Sequence, residues 1–318
     1  MRIGIDMMGG DYAPQEAVKG VAQYLQSSTA MPVTLIGDEQ QVKYLLAAEP
    51  FIDTPDVVRI VDAPEVIGMQ EHATRALKEK TNSSIAKGFK LLASGEIDAF
   101  ISAGNTGAMM VGTFYSIKSI EGVLRPTIST IIPKLDGSFS LLLDVGLNAD
   151  CKAENLLQFA ILGSLYARHI LQIEDPKVGL VNIGEEEGKG NLLAQAAYPL
   201  LKASDQIHFL GNIEGRDILQ GGADVMVCEG FTGNVILKMA ESLYDVASHR
   251  NLGQDEYFRR FHYENYGGTP ILGVSKPVII GHGISEAPAF RNMIILAQKM
   301  LESDLLGKMK ATFEALGA

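Results

Sequence analysis

The stretch Ser138-Phe139-Ser140-Leu141-Leu142-Leu143-Asp144-Val145-Gly146-Leu147-Asn148 decides the fold class. Three consecutive leucines leave no polar face. A strand of this kind is covered on both sides, as in parallel sheets sandwiched between helices. The apolar run stops at Asp144, a Gly/Asn loop follows, and Glu154–His169 then carries apolar residues at helical spacing. Val278-Ile279-Ile280, stopped by His282-Gly283, repeats the arrangement near the other end of the chain.

Working outward, short Val/Ile-rich runs alternate with helical periods. Strands are expected at Arg2–Asp6, Val33–Gly37, Val57–Asp62, Asp98–Ser102, Ile128–Ile132, Ser138–Asp144, Lys177–Asn182, Ile207–Leu210, Val225–Cys228 and Val278–His282. Helices are expected at Gln15–Gln26, Glu39–Ala47, Ser83–Leu92, Thr106–Ile117, Glu154–His169, Leu192–Leu201, Asn234–Ser248 and Ala287–Leu301. This alternation predicts an α/β protein with a doubly wound, mostly parallel sheet in three α/β/α layers. No linker divides residues 1–318, which read as a single α/β unit. A segment rich in charge and aromatics, about 240–268, reads as a helical excursion from it.

The chain has 318 residues, 27 basic and 38 acidic, for a net charge of −11. That balance argues against a nucleic-acid partner, because little excess positive charge is available to displace counterions. Cys151 and Cys228 form no CxxC pair, which excludes a zinc ribbon or disulfide scaffold and suits the cytoplasm. The start, Met1-Arg2-Ile3-Gly4-Ile5-Asp6, reads as a strand and not a leader. The long uncharged run between Asp98 and Lys118 holds Ser102, Asn105, Thr106 and three glycines, so it reads as strand, turn and helix and not as a membrane span.

In an open parallel sheet, ligands bind beyond the carboxyl ends of the strands. Here those ends run into Gly with Asn, Asp, Ser or Thr at seven places, among them Met8-Gly9-Gly10-Asp11, Ser102-Ala103-Gly104-Asn105-Thr106-Gly107 and His282-Gly283. One such loop is ordinary capping. Seven at one edge point to an oxyanion, because glycine admits close approach and helix starts bind anions. Named motifs fit poorly. Gly184 to Gly188-Lys189 is one residue short of a Walker A loop, no GxGxxG follows the first strand, and no GxSxG or HExxH is present. Neither a metal nor a cofactor is called for; Glu185-Glu186-Glu187 reads as a solvated acidic run.

DMMGGDYAP at 6–14, SAGNTGA at 102–108, GVLRP at 122–126, LLLDVGLNADCK at 141–152, GLVNIGEEEGKGN at 179–191, GNIEGRDI at 211–218, GFTGN at 230–234 and HGISEA at 282–287 occur in this order. Over residues 1 to about 300 the chain thereby resembles the bacterial phosphate acyltransferases of phospholipid synthesis. The resemblance implies transfer of a fatty acyl group from acyl carrier protein to inorganic phosphate. The resulting acyl phosphate is used by a membrane acyltransferase, the implied downstream partner. It also implies a fold similar to phosphotransacetylases and to the isocitrate and isopropylmalate dehydrogenases, with two lobes around a cleft. A cytoplasmic homodimer touching the inner face of the membrane only peripherally is expected. Met7 stands where the family usually has Ala and Glu229 where it has Asp. The 240–268 segment is shorter and less basic than its counterparts.

For such a reaction, phosphate is itself the nucleophile, and the protein must position it and stabilise an oxyanion. Gly9, Gly10, Ser102, Gly104, Asn105, Thr106 and Gly107 are candidates for the phosphate cradle. Arg125 and Lys238 are candidate cations, and Asn148, Asn212, Asn234 and Gly233 are candidates for binding the oxyanion or substrate. His282 is a candidate acid/base at a strand end, with a capping histidine as the plain alternative. Asp11 either orients a phosphate proton or caps the next helix. Cys151 lacks a thiolate-activating environment and reads as structural. Arg250, Arg259, Arg260 and His262 form the best local cluster for an acidic carrier protein. The competing readings are a phosphotransacetylase-type enzyme using a CoA ester, an NAD(P)-linked hydroxy-acid dehydrogenase, and a non-catalytic carrier-binding module.

Overall fold

The computed structural model describes residues 1–50 and 56–317. In chain order the elements are β1 (Ile3–Asp6), α1 (Gln15–Leu25), β2 (Val33–Gly37), α2 (Glu39–Leu46), β3 (Val58–Asp62), α3 (Ala73–Glu79), α4 (Ser84–Ser94), β4 (Ala99–Ser102), α5 (Thr106–Ser116), β5 (Thr127–Pro133), β6 (Phe139–Leu143), α6 (Ala153–His169), β7 (Lys177–Val181) and α7 (Leu192–Ala203). There follow β8 (His208–Ile213), α8 (Asp217–Gln220), β9 (Val225–Val227), α9 (Gly230–His249), α10 (Glu256–Arg259), a 3-10 turn (Tyr263–Asn265), β10 (Thr269–Leu272), β11 (Val278–Ile280), α11 (Ala287–Glu302) and α12 (Leu305–Gly317). The chain falls into two compact units, Met1–Ser119 with Tyr263–Leu306, and Ile120–His262 with Gly307–Ala318.

In the first unit the strand order is β3-β2-β1-β4-β11-β10, parallel except for β10 against β11. Right-handed crossovers dictate the layers. The outward path β1-α1-β2-α2-β3 places α1 and α2 on one face, where α1 also packs against α11. The return to β4 places α3 and α4 on the other, and α5, which follows β4, packs against both. β1 and β4 are buried along their whole length, as their apolar sequences require.

The second unit has the order β5-β6-β9-β7-β8, with β5 antiparallel to β6 and the other pairs parallel. α6 and α7 share one face, and the short α8 returns the chain to β9 across the other. Leu141, Leu142 and Leu143 are at most 1% exposed, which is the two-sided burial their run predicts.

The α/β, three-layer reading therefore holds within each unit. β10 was not foreseen: it is four residues containing Pro270, with no alternating pattern. α9 starts at Gly230 and not at Asn234, because the Glu229 carboxylate caps it and carries the glycine-containing first turn. In the charged segment α9 continues to His249, and α10 is a single turn capped by Asp255.

Candidate active site

At the carboxyl edge of the first unit, three loops meet around one carboxylate. Asp6 ends β1 and is fully buried. Its Oδ1 accepts from Met8 N at 2.9 Å, and its Oδ2 accepts from the Ser102 hydroxyl at 2.6 Å. Ser102 Oγ in turn accepts from Gly104 N at 2.9 Å. The β11 loop joins through Asp11 N to Gly283 O, 2.7 Å, and Gly281 N to Ser102 O, 2.8 Å. A Cβ on Gly9 would overlap Asp6 Oδ2 and lie 2.6 Å from Gly104 N, so Gly9 is there to let the two loops touch. Gly10 has φ +105°, a left-handed conformation that glycine adopts without strain. The structure thus brings together Gly9, Gly10, Asp11, Ser102, Gly104 and His282 from residues far apart in sequence.

Asn105 opens α5. Its Oδ1 accepts from Ala108 N at 2.9 Å, and its Nδ2 donates to the carbonyls of Gly68 at 2.9 Å and Glu71 at 3.0 Å. That amide is a brace between α5 and the segment before α3. Thr106 is exposed and Gly107 half-buried at the first turn. The cap of α5 is the neutral Asn105, and no acidic residue lies in the first turn of the helix, whose N-terminal end carries partial positive charge. Asp11 is exposed and does not cap α1, whose N-cap position belongs to Pro14. His282 is exposed just after β11, with Nδ1 3.5 Å from Ile284 N.

The second unit uses the same device. Asp144, fully buried at the end of β6, accepts from Gly146 N at 3.2 Å, Leu147 N at 3.1 Å and Asn148 N at 2.8 Å. The Asn148 amide donates to Asp144 Oδ2 at 2.6 Å and to Pro126 O at 2.8 Å, so it too is a brace. Gly233 sits against this loop: a Cβ there would overlap the Asp144 carbonyl oxygen and lie 3.1 Å from Cys228 Sγ. Asn234 is exposed beside it. At the start of α9, Glu229 accepts from Phe231 N at 2.6 Å, Thr232 N at 3.0 Å and the Thr232 hydroxyl. The N-terminus of α9 is therefore already met by a carboxylate, unlike that of α5.

The remaining candidates scatter. Arg125 is exposed and donates to Asp150 O at 2.9 Å. Lys238 lies on the exposed side of α9, 2.7 Å from Glu241. Asn212, in β8, donates to Glu186 O at 2.8 Å, while its buried Oδ1 has no partner among the described residues. The register Leu143–Val227–Leu180–Asn212 puts it three strands from Asp144's strand, roughly 14 Å at about 4.8 Å per strand. Arg260 is engaged inside the fold: it donates to the carbonyls of Lys134 at 3.2 Å, Gly137 at 2.6 Å and Ser138 at 2.7 Å, and stacks 4.7 Å over Phe139. Glu185 and Glu187 pair with Arg216 and Lys202 at the surface, which matches the solvated reading of the acidic run.

Burial raises the pKa of both Asp6 and Asp144 above the ordinary carboxylate value, against the lowering effect of their hydrogen bonds. Burial first, and the Asp144 charge second, push the Cys151 thiol up to about 12. It is protonated at neutral pH and poorly nucleophilic, as its neighbours in sequence suggested. Of the three carboxylates that organise these loops, Asp6 and Asp144 were not among the candidate site residues, and Glu229 was noted only as a departure from the family pattern. Their signal was available: an acid closing an apolar strand immediately before a glycine-containing loop.

A family model described as "Fatty acid synthesis protein" matches residues 1–255. The phosphate acyltransferase of Salinibacter ruber is 42% identical over 100% of this chain and 99% of its own. That of Desulfitobacterium hafniense is 44% identical over 98% and 97%. Among solved structures, a phosphotransacetylase from Streptococcus pyogenes superposes with TM-score 0.65 at 18% identity, covering 95% of this chain and 94% of its own. A branched-chain phosphotransacylase from Enterococcus faecalis gives 0.60 at 14%, covering 95% and 99%. The structural likeness shows the fold, which is that of the phosphotransacetylases. Sequence identity above 40% along nearly the whole chain shows more, and on that ground the chain belongs to the bacterial phosphate acyltransferase family and is an enzyme of that type.

Proposed function

We propose that this enzyme transfers a fatty acyl group from acyl carrier protein to inorganic phosphate, giving acyl phosphate for phospholipid synthesis, and that phosphate is held at the first turn of α5. The observation that carries the placement is the contrast between the two helix starts. α5 is capped by the neutral Asn105, whereas α9 is capped by the Glu229 carboxylate. An anion is favoured at the former and repelled at the latter.

In this reading a phosphate oxygen attacks the thioester carbonyl carbon. The C–S bond breaks as the tetrahedral oxyanion collapses, and the carrier departs as a thiolate. A thiol of pKa about 8.5 is a good leaving group, so no protein nucleophile is required. Gly9, Gly10, Ser102, Gly104, Asn105, Thr106 and Gly107 shape the phosphate cradle. His282, exposed beside Gly283, is the acid/base that takes the proton lost by phosphate or returns one to the released thiolate, and Asp11 orients the phosphate proton. We assign no step to Lys238, whose charge faces Glu241, or to Asn212, which lies with the Asn182–Gly190 loop. We likewise assign no step to Arg125 or Asn234, which belong to the second unit. The reading extends to a cytoplasmic homodimer with peripheral membrane contact, supported by the exposed apolar residues Phe231, Val235 and Met239 along α9.

The test is incubation with acyl-carrier protein and phosphate, trapping acyl phosphate as the hydroxamate. Phosphate-dependent carrier-thiol release, unchanged by EDTA, is expected. Thiol release without phosphate overturns the reaction, and turnover with acyl-CoA but not acyl-carrier protein overturns the donor.

A further inference from the structure

Asp6 is an unusual carboxylate. It is 0% exposed, yet among the described residues no Lys, Arg or His forms an ion pair with it. It is held only by neutral donors: Met8 N, the Ser102 hydroxyl, and, facing the same carboxylate, Gly9 N and the Ser84 hydroxyl from the start of α4. A buried charge without a cation is costly, and such a group is retained where its geometry matters. Its surroundings say what that geometry does. An ionised carboxylate only accepts, so with Asp6 ionised the Ser102 O–H points at it, and a Ser102 lone pair faces Gly104 N. One direction of hydrogen bonding therefore runs Gly104 N–H, Ser102 O–H, Asp6, with Met8 N–H meeting it from the other loop. Residues 96 apart in sequence are thereby joined.

We propose that Asp6 is the positioning residue of the phosphate cradle: by drawing Met8 N–H and Ser102 O–H inward, it locks the β1 and β4 loops into one surface that presents phosphate to the acyl donor. Asp6 does not touch substrate; it acts through the Gly9 and Gly104 backbone, which lie against each other only because neither carries a side chain. This inference rests on the proposed function of the same site, and deepens it by naming the group that sets the phosphate affinity.

The experiment measures steady-state kinetics of Asp6→Asn and Ser84→Ala with acyl-carrier protein and phosphate varied separately, and phosphate-induced thermal stabilisation of each. Asp6→Asn preserves volume but turns one acceptor into a donor facing Met8 N–H or Ser102 O–H. Its KM for phosphate is expected to rise about tenfold, with the KM for acyl-carrier protein within about twofold. Ser84→Ala reaches Asp6 from outside both loops and keeps the test open if Asp6→Asn fails to fold. It is expected to raise the phosphate KM about threefold and leave the carrier KM unchanged. Asp6→Asn and Ser102→Ala are expected to be non-additive in phosphate KM, since both break one chain of bonds. A merely structural role would lower stability and move both KM values together. That outcome, or folded variants with wild-type phosphate KM, overturns the inference. A wild-type enzyme whose turnover does not depend on phosphate overturns the underlying function instead.

Discussion

Replacing Gly233 with alanine separates two roles for a glycine at the start of α9. If Gly233 leaves room for a ligand, its absent Cβ faces open space, and alanine there spares the fold and harms binding. In the structure that direction is filled: the new methyl would overlap the Asp144 carbonyl oxygen, 2.9 Å from its carbon and 3.1 Å from Cys228 Sγ, whereas ordinary contacts start at 3.4 Å. The obstacle is backbone, pinned by Asp144 N to Cys228 O at 3.0 Å and Cys228 N to Leu143 O at 2.8 Å, so it cannot swing aside as a flexible side chain would. Overpacking of this kind costs about 3 kcal/mol at the upper end of its range, and alanine's better helix propensity returns about 1 kcal/mol. A net loss of about 2 kcal/mol is expected, or a fall in Tm of roughly 4–8 °C for a unit of this size. Urea and thermal unfolding followed by circular dichroism measure it. Gly188→Ala, with nothing within 4 Å of its new methyl, is the control and should stay within about 0.5 kcal/mol of wild type. A Gly233→Ala protein as stable as wild type, with a raised substrate KM, would refute the packing argument and restore the ligand-facing one.

Cys151→Ala should retain activity within about tenfold, a barrier change of about 1.4 kcal/mol or less, because a thiol with its pKa near 12 is no nucleophile at neutral pH; acyl found on Cys151 under turnover would contradict this. Arg260→Lys should destabilise by about 1 kcal/mol in urea, since lysine cannot reproduce the fork that reaches three carbonyls and the stack on Phe139; unchanged stability would show that this contact is not made in solution. Carrier docking is accordingly better probed at Arg250 and Arg259 than at Arg260. Asp144 has a folded pKa above its ordinary 3.8, so the folded state holds that proton more tightly than the unfolded chain. Its contribution is fully present below 3.8 and is lost as pH rises through the raised value. The stability of wild type relative to Asp144→Asn should therefore fall with rising pH across that window, and a difference that grows with pH in urea titrations would reverse the assignment.

Much of the architecture was legible in the sequence because it is written in neighbours. Leu141-Leu142-Leu143 and Val278-Ile279-Ile280 announce strands buried on both faces. Asp38, Ser83, Asn105 and Asn191 cap the helices that follow them. Among the described residues, eight of the nine helices of eight or more residues and ten of the eleven strands lie where local period and capping chemistry predict; α12 was not expected. β10 escaped because four residues with a proline carry no period, and its pairing with β11 is a tertiary fact. The clustering of Gly/Asn loops at the strand ends was also readable, but which group each side chain meets was not. Asn105 and Asn148 look like ligand donors in sequence and are braces in the fold, because their partners, Gly68 and Pro126, lie 37 and 22 residues away. Asn212 and Asn148 look equivalent until the strand order sets two strands between theirs. Arg260 reads as a surface cation until the β5–β6 turn closes over it. Periodicity and capping act over one to four residues, so sequence alone determines them. A hydrogen-bond partner or a filled space depends on segments brought together by burial, and only the tertiary structure decides it.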